Sequence, residues 1–128
     1  MSGERILVIE DNEINRKLVR DVLQFRGFEI IEATTAEDGL VLAKEHVPDL
    51  VLMDIQLPGM DGVAALRCLR ADAETRDVPV IALTASALPE ERNQILAAGF
   101  DGYEVKPIRV RRLEELVAEG LALRDARR

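Results

Sequence analysis

Five short apolar stretches punctuate the chain, and the segments between them carry apolar residues at helical spacing. Arg5-Ile6-Leu7-Val8-Ile9-Glu10 and Leu50-Val51-Leu52-Met53-Asp54 show no alternation of apolar and polar positions. This predicts strands buried on both faces, as inside a parallel sheet. Glu29-Ile30-Ile31-Glu32-Ala33 is less apolar and predicts a strand nearer an edge. Val78 to Thr84 predicts a fourth strand, with Pro79 among its first residues, where a missing N–H is tolerated. Asp101 to Val105 predicts a short fifth.

Between these runs, Asn12 to Arg26 places Ile14, Leu18 and Val22, with Val19 and Leu23 beside them, on one apolar helix stripe that Gly27 stops. Thr35-Ala36-Glu37-Asp38 looks like a capping box opening a helix with Leu40, Val41 and Ala43, which Pro48 closes. Asp61 caps a helix carrying Val63, Leu66 and Leu69, and a polar segment from Asp72 to Asp77 then returns over the surface. Pro89 to Ala98 has only Ile95, Leu96 and small alanines to anchor it, which predicts a weakly held helix ended by Gly99. Val110, Leu113, Leu116, Val117 and Leu121 mark a last helix.

Strand and helix thus alternate five times. The alternation calls for right-handed crossovers and an α/β fold, a doubly wound five-stranded parallel sheet with helices on both faces. Of the common doubly wound orders, five strands leave the flavodoxin-like 2-1-3-4-5, with strands one and three adjacent.

Composition narrows the class further. The 128 residues predict one domain over positions 1–128, with its core at about 5–123. A hydrophobic content of 48% with 32% charged residues excludes disorder. The formal net charge of -7 argues against a nucleic-acid partner, since phosphate backbones call for a basic surface. No apolar run reaches the length of a membrane span and no signal-peptide layout is present, so a cytoplasmic protein is expected. The single Cys68 reads as a small apolar helix residue rather than a thiol nucleophile, and it excludes a disulfide framework. The single His46 reads as a surface residue near a helix end.

The carboxyl ends of the strands hold the chemistry. Glu10 and Asp11 follow the first, Asp54 the third, Thr84 the fourth and Lys106 the fifth. Taken alone, Asp54 reads equally well as a turn former. Together these groups emerge at one sheet edge, where open α/β sheets bind ligands. Three converging carboxylates repel one another unless a cation joins them, and oxygen ligands without His or Cys select a hard ion such as Mg2+. Mg2+ favours one or two carboxylates, water and a phosphate oxygen. Lys106, one of three lysines, can meet a phosphoryl oxygen as a point charge, and Thr84 can donate to another. Asp54 remains as the nucleophile, whose attack on phosphorus gives a mixed anhydride.

Four segments resemble the receiver domains of two-component response regulators: Val8-Ile9-Glu10-Asp11-Asn12, Pro48 through Gly62, Ile81-Ala82-Leu83-Thr84-Ala85 and Val105-Lys106-Pro107. The likeness extends from Arg5 to about Leu123, and Glu10 through Leu18 is most similar to single-domain regulators of the DivK type and to receivers of hybrid histidine kinases. The resemblance implies that Asp54 is the phosphoacceptor and that Glu10, Asp11, Asp54 and the Gln56 backbone carbonyl bind Mg2+, with Mn2+ the alternative. It implies that Thr84 and Lys106 bind the phosphoryl group, and that Lys106-Pro107 is cis. Gln56 and Ser86 fall where the family tunes the lifetime of that group. Tyr103, three residues before the lysine, falls at the family's rotating switch aromatic. Phosphorylation would then draw Thr84 toward the phosphoryl oxygens, turn Tyr103 and alter the surface from Pro89 to Val117.

The implied partners are a histidine kinase or histidine phosphotransferase and a downstream effector or kinase protein, in a bacterial phosphorelay. Ile14, Asn15 and Leu18 would dock on the histidine-bearing helices; Ile14 and Leu18 compete with a place in the core stripe, which for Leu18 is the favoured reading. The chain would be no enzyme beyond its own phosphoryl transfer and autodephosphorylation. With no output domain expected after the fifth helix, it would signal by phosphorylation-dependent protein contact. A flavin is disfavoured because Glu-Asp-Asn-Glu after the first strand would repel its phosphate. A phosphatase is disfavoured because Gln56 stands where a second acid would be needed. A receiver that binds partners without ever being phosphorylated is the third alternative.

Overall fold

A computed structural model describes residues 3–86 and 88–127. In chain order the elements are β1 (Arg5–Ile9), α1 (Glu13–Phe25), β2 (Glu29–Ala33), α2 (Ala36–His46), β3 (Leu50–Asp54), α3 (Gly62–Ala71), β4 (Val80–Thr84), α4 (Pro89–Ala98), β5 (Gly102–Val105) and α5 (Val110–Ala126). The strands form one parallel sheet in the order β2-β1-β3-β4-β5. The sheet class and strand order read from the sequence are those observed. Among the described residues, no helix is long and apolar enough to cross a membrane.

The apolar strands lack alternation because each serves two cores. Leu7 and Ile9 of β1, Val51 and Met53 of β3, and Val80 and Ala82 of β4 pack with Ala36, Ala43, Ala65, Leu66, Leu69 and Ile95 from α2, α3 and α4. The intervening Ile6, Val8, Leu50, Leu52, Ile81 and Leu83 pack with Val19, Leu23, Leu113, Leu116 and Val117 from α1 and α5. Each side chain points opposite to its neighbour along a strand, so both parities must be apolar when both faces are covered. At the edge, β2 buries only Ala33.

Side-chain oxygens start three helices, as expected for Thr35 and Asp61, while Asn12 proves to be the cap of α1 and not its first residue. Asn12 Oδ1 accepts from the Asn15 N–H at 2.9 Å, Thr35 Oγ1 from Asp38 at 3.1 Å and Asp61 Oδ1 from Ala64 at 2.9 Å. Several expectations need correction. The α1 stripe is narrower than its spacing suggests: Val19 and Leu23 are buried, whereas Ile14 is 78% exposed and Leu18 39%. The sheet contacts α1 through its later turns, which leaves its first turn projecting past the strand ends. Val41 and Leu96 are likewise exposed. In the 72–77 return, Thr75 is buried, its hydroxyl donating to the Leu69 carbonyl at 2.8 Å. The strand bounds also shrink: Val78 and Pro79 precede β4, and Asp101 precedes β5.

Val47, rather than Pro48, terminates α2, in the left-handed region at φ 43° and ψ 74°. A β-branched residue is strained there, while asparagine tolerates it. Val47→Asn should therefore raise stability by about 0.5–1 kcal/mol in urea unfolding. An unchanged or lower midpoint would mean that the contacts of the half-covered valine outweigh the strain.

Candidate functional site

Four strands end at the same sheet edge, and each delivers one polar group. Glu10 follows β1 and is 1% exposed, Asp54 closes β3 at 3%, and Thr84 closes β4 at 2%. Lys106 follows β5. Strand pairing sets their depth: Asp54 lies opposite Leu83, and Thr84 opposite Val105. The Lys106 backbone N–H donates to the Thr84 carbonyl at 2.7 Å, continuing the ladder beyond β5, and the Lys106-Pro107 bond is cis.

The turn after Asp54 is tightly built. The Ile55 N–H donates to the Leu83 carbonyl at 3.1 Å, and the Gly62 N–H donates to the Ile55 carbonyl at 3.2 Å. A Cβ at Gly62 would stand 2.7 Å from the Ile55 Cα, so only glycine lets α3 start against the backbone beside the acid. Gly59, at φ 78°, makes the bend between them.

Both Asp54 oxygens are engaged. Oδ1 accepts from the Gln56 N–H at 2.9 Å, and Oδ2 accepts from Lys106 Nζ at 2.9 Å. The same ammonium lies 2.7 Å from Glu10 Oε1, although that oxygen is poorly aligned to accept a hydrogen bond from it. Glu10 Oε2 accepts from the Asn12 N–H at 3.1 Å. One lysine thus faces two buried acids. Burial opposes its charge, but the close contact with Glu10, the hydrogen bond to Asp54 and the negative charge of both outweigh it and raise the Lys106 pKa. Burial raises the Glu10 pKa and Asp54 adds repulsion, while Lys106 and the Asn12 N–H pull it down without cancelling the rise.

A carboxylate whose pKa rises on folding destabilises the fold at every pH above its folded value. The penalty vanishes below its unfolded value, where both states are protonated. Glu10→Gln should therefore melt a few degrees higher than wild type at pH 7 in chelator, with the difference closing as the pH falls toward about 4.5. A lower melting temperature at pH 7 would show that the Lys106 contact outweighs the burial cost.

Glu10, Asp11 and Asp54 each bring one carboxylate oxygen within 4.8 Å of the others. This all-oxygen donor set, with the poorly bonded Glu10 Oε1 among it, fits a hard divalent cation. Asp11 is exposed and forms the open side. Gln56 enters the site through its backbone, its side chain being exposed.

The other predicted residues lie around this centre. The Thr84 hydroxyl accepts from the Ser86 N–H at 3.1 Å. Asn15 and Leu18 line a small cleft with Glu10 and Lys106, so the first turns of α1 border that acid and the lysine directly. The exposed Leu18 belongs to this rim and not to the core. Tyr103 stands apart from the acids, half-buried against the core under α3 and α4, with its hydroxyl near Arg92. Sequence reasoning missed Arg16. Its Nη1 donates to the Glu10 carbonyl at 3.1 Å and its Nε to Glu32 at 3.2 Å, bracing the acidic loop against β2. Nothing in the spacing of α1 sets this arginine apart from the other charges on its surface.

Residues 6–118 match the family described as the response regulator receiver domain. The polar-differentiation response regulator DivK of Brucella ovis is 43% identical over 112 residues, which cover 88% of this chain and 91% of that protein. The receiver domain of sensor histidine kinase PA1611 from Pseudomonas aeruginosa PAO1, solved with a magnesium ion in its active-site cleft, superposes with a TM-score of 0.87 at 33% identity, covering 94% of this chain and 99% of that one. Chemotaxis response regulator CheY4 of Vibrio cholerae gives 0.88 at 25% identity, covering 94% and 100%.

Proposed function

The chain belongs to the response regulator receiver domains, and on that premise we propose that Asp54 takes a phosphoryl group from a phosphohistidine of a histidine kinase or phosphotransferase. The observation that carries the reading is the single lysine reaching both buried acids at the sheet edge. Asp54 Oδ attacks phosphorus in line, the P–N bond breaks, and the histidine nitrogen keeps the electron pair. Lys106 stays charged through neutral pH because its pKa is raised, so it can move from the carboxylates to an incoming phosphoryl oxygen without a proton change. The Thr84 hydroxyl donates to a second oxygen.

Glu10, Asp11, Asp54 and the Gln56 carbonyl would hold Mg2+, or Mn2+ in its place. That ion, when bound, offsets the negative charge of acids and phosphate meeting at close range. Water later hydrolyses the acyl phosphate and restores Asp54. The protein acts on its own side chain alone and turns over no separate substrate. Its output is contact with protein partners, the donor kinase or phosphotransferase and a downstream effector, in keeping with a net charge of -7 that disfavours nucleic acid. Ile14, Asn15 and Leu18 provide the rim on which the donor docks, and a cytoplasmic setting follows from the donor chemistry.

Intact-mass measurement after incubation with acetyl phosphate tests this. A single phosphoryl adduct that forms with Mg2+ and not with chelator, and maps to the 50–57 segment, is the expected result. A folded protein that binds Mg2+ and gains no adduct would overturn it in favour of a receiver that binds partners unphosphorylated.

A further inference from the structure

The segment that carries Asp11 has no apolar anchor. From Asp11 to Leu18 no side chain is buried, and α1 reaches the core only at Val19 and Leu23. The Asp11 carboxylate is exposed, so its place beside Glu10 and Asp54 follows from the backbone that presents it. On one side that backbone is fixed, because the Glu10 N–H donates to the Ala33 carbonyl at 3.0 Å as the end of the β1–β2 ladder. The next peptide unit is the one that joins Glu10 to Asp11. Its carbonyl oxygen is the atom that Arg16 Nη1 holds at 3.1 Å. A planar peptide gripped by its carbonyl is restrained in rotation on both sides, at Glu10 and at Asp11.

Arg16 is itself held. Its Nε donates to Glu32 Oε1 at 3.2 Å, and Arg20 Nη1 meets both Glu32 oxygens at 3.2 Å. Glu32 lies on β2 in register with Val8 of β1, so the anchor is a strand and not a loop. The Arg16 side chain is 18% exposed and that of Glu32 27%, which separates them from a solvated surface pair.

We infer that Arg16 is a positioning residue for the divalent cation, its guanidinium aiming the Glu10-Asp11 peptide so that the Asp11 carboxylate meets those of Glu10 and Asp54. The inference rests on the metal reading given above. Two effects of the arginine oppose each other. Its charge weakens the negative potential of the acids, so by charge alone its removal would tighten cation binding, by about twofold in ordinary salt. Its geometry acts the other way, since loss of a group that orients a metal ligand costs about tenfold to a hundredfold in affinity. Geometry is the larger effect, and the sign of the change separates the two. Lysine cannot replace the arginine, because a point charge on a flexible stem lacks the planar fork that spans carbonyl and carboxylate.

The EPR signal of free Mn2+ measures the affinity directly, in full-length wild type, Arg16→Ala, Arg16→Lys and Arg20→Ala. Arg16→Ala should weaken Mn2+ binding about tenfold, and Arg16→Lys, which keeps the charge and loses the fork, should not restore it. Arg20→Ala removes a neighbouring charge without touching the Glu10 carbonyl and should shift the affinity by less than about twofold. Urea unfolding in chelator checks that each variant is folded; if Arg16→Ala is not, Arg16→Lys decides alone. With acetyl phosphate, the Mg2+ concentration for half-maximal adduct formation should rise by the same factor as the Mn2+ affinity falls, with the rate at saturating Mg2+ unchanged.

Arg16 variants that bind Mn2+ as tightly as wild type, or more tightly, would overturn the inference and leave the arginine a structural brace. An equal loss in Arg20→Ala would overturn it as well, by tracing the effect to a general loosening of α1. Wild type that binds no Mn2+ would instead overturn the metal reading on which the inference rests.

Discussion

Asp54→Asn is expected to abolish the acetyl phosphate adduct while leaving a folded protein. The substitution keeps the shape of the side chain and an oxygen able to accept from the Gln56 N–H, so the turn after β3 has no reason to move. It removes the anionic oxygen. An amide oxygen is a poor nucleophile toward phosphorus, and loss of a nucleophile costs about 10^3-fold or more in rate. Glu10 and Asp11 make the experiment informative, since both acids share the site. Glu10 is buried, holds the Asn12 N–H and is pushed toward its protonated form, all of which disfavour attack. A residual adduct in Asp54→Asn at more than a few percent of the wild-type rate would show that one of these acids, or an oxygen outside the site, accepts phosphate, and the assignment of Asp54 would fail.

The second large effect lies at the opposite edge of the sheet. Asp101 precedes β5, with 10% of its side chain exposed, and accepts from Arg70, Arg127 and the backbone N–H of Val80. Arg70 in turn donates to the carbonyls of Arg76 and Val78, and Arg127 to that of Asp77. Asp101→Ala would leave a buried N–H and two partly buried guanidinium groups without their shared acceptor. The expected loss is about 3 kcal/mol, or roughly 10 °C in melting temperature. Burial opposes the Asp101 charge, but Arg127, the Val80 N–H and Arg70 outweigh it and hold its pKa below the usual carboxylate range. A carboxylate depressed on folding stabilises the protein above its unfolded pKa, and loses that contribution as the pH falls through the folded value. The gap between wild type and Asp101→Ala should stay constant from neutral pH down to about pH 4 and narrow below it. A loss under about 1 kcal/mol would reduce the cluster to ordinary surface pairing.

The sheet and the polar edge at its strand ends are legible for related reasons. Unbroken apolar runs at 6–9 and 50–53 have no comfortable place except between two helical layers, and the carboxyl ends of such strands converge on one edge whatever the helices do. Glu10, Asp54, Thr84 and Lys106 could therefore be brought together from strand ends alone. Helix faces were read less well. Ile14 and Leu18 have the right spacing for a core stripe yet are exposed near the start of α1, and Val41 lies off the face by which Ala36, Gly39 and Ala43 bury α2. Polar side-chain contacts between distant segments carry no spacing signal at all. Arg16 with Glu32, Arg92 with Tyr103 and Arg70 with Asp101 depend on which helix crosses over which strand, and that is settled only by the packed chain.

Fifty-two residues separate Asp54 from Lys106. During synthesis, then, the ribosome delivers both buried acids long before the one lysine that faces them. A nascent chain that has released β1 through β4 would hold these two acids without their countercharge, which disfavours closing them away from water. Arrival of β5 brings the last sheet partner and the countercharge together, so completion of the backbone ladder and completion of the acidic site become one event. A truncated product ending before Lys106 would lack at once the last hydrogen bond of the sheet ladder and the countercharge to its buried acids.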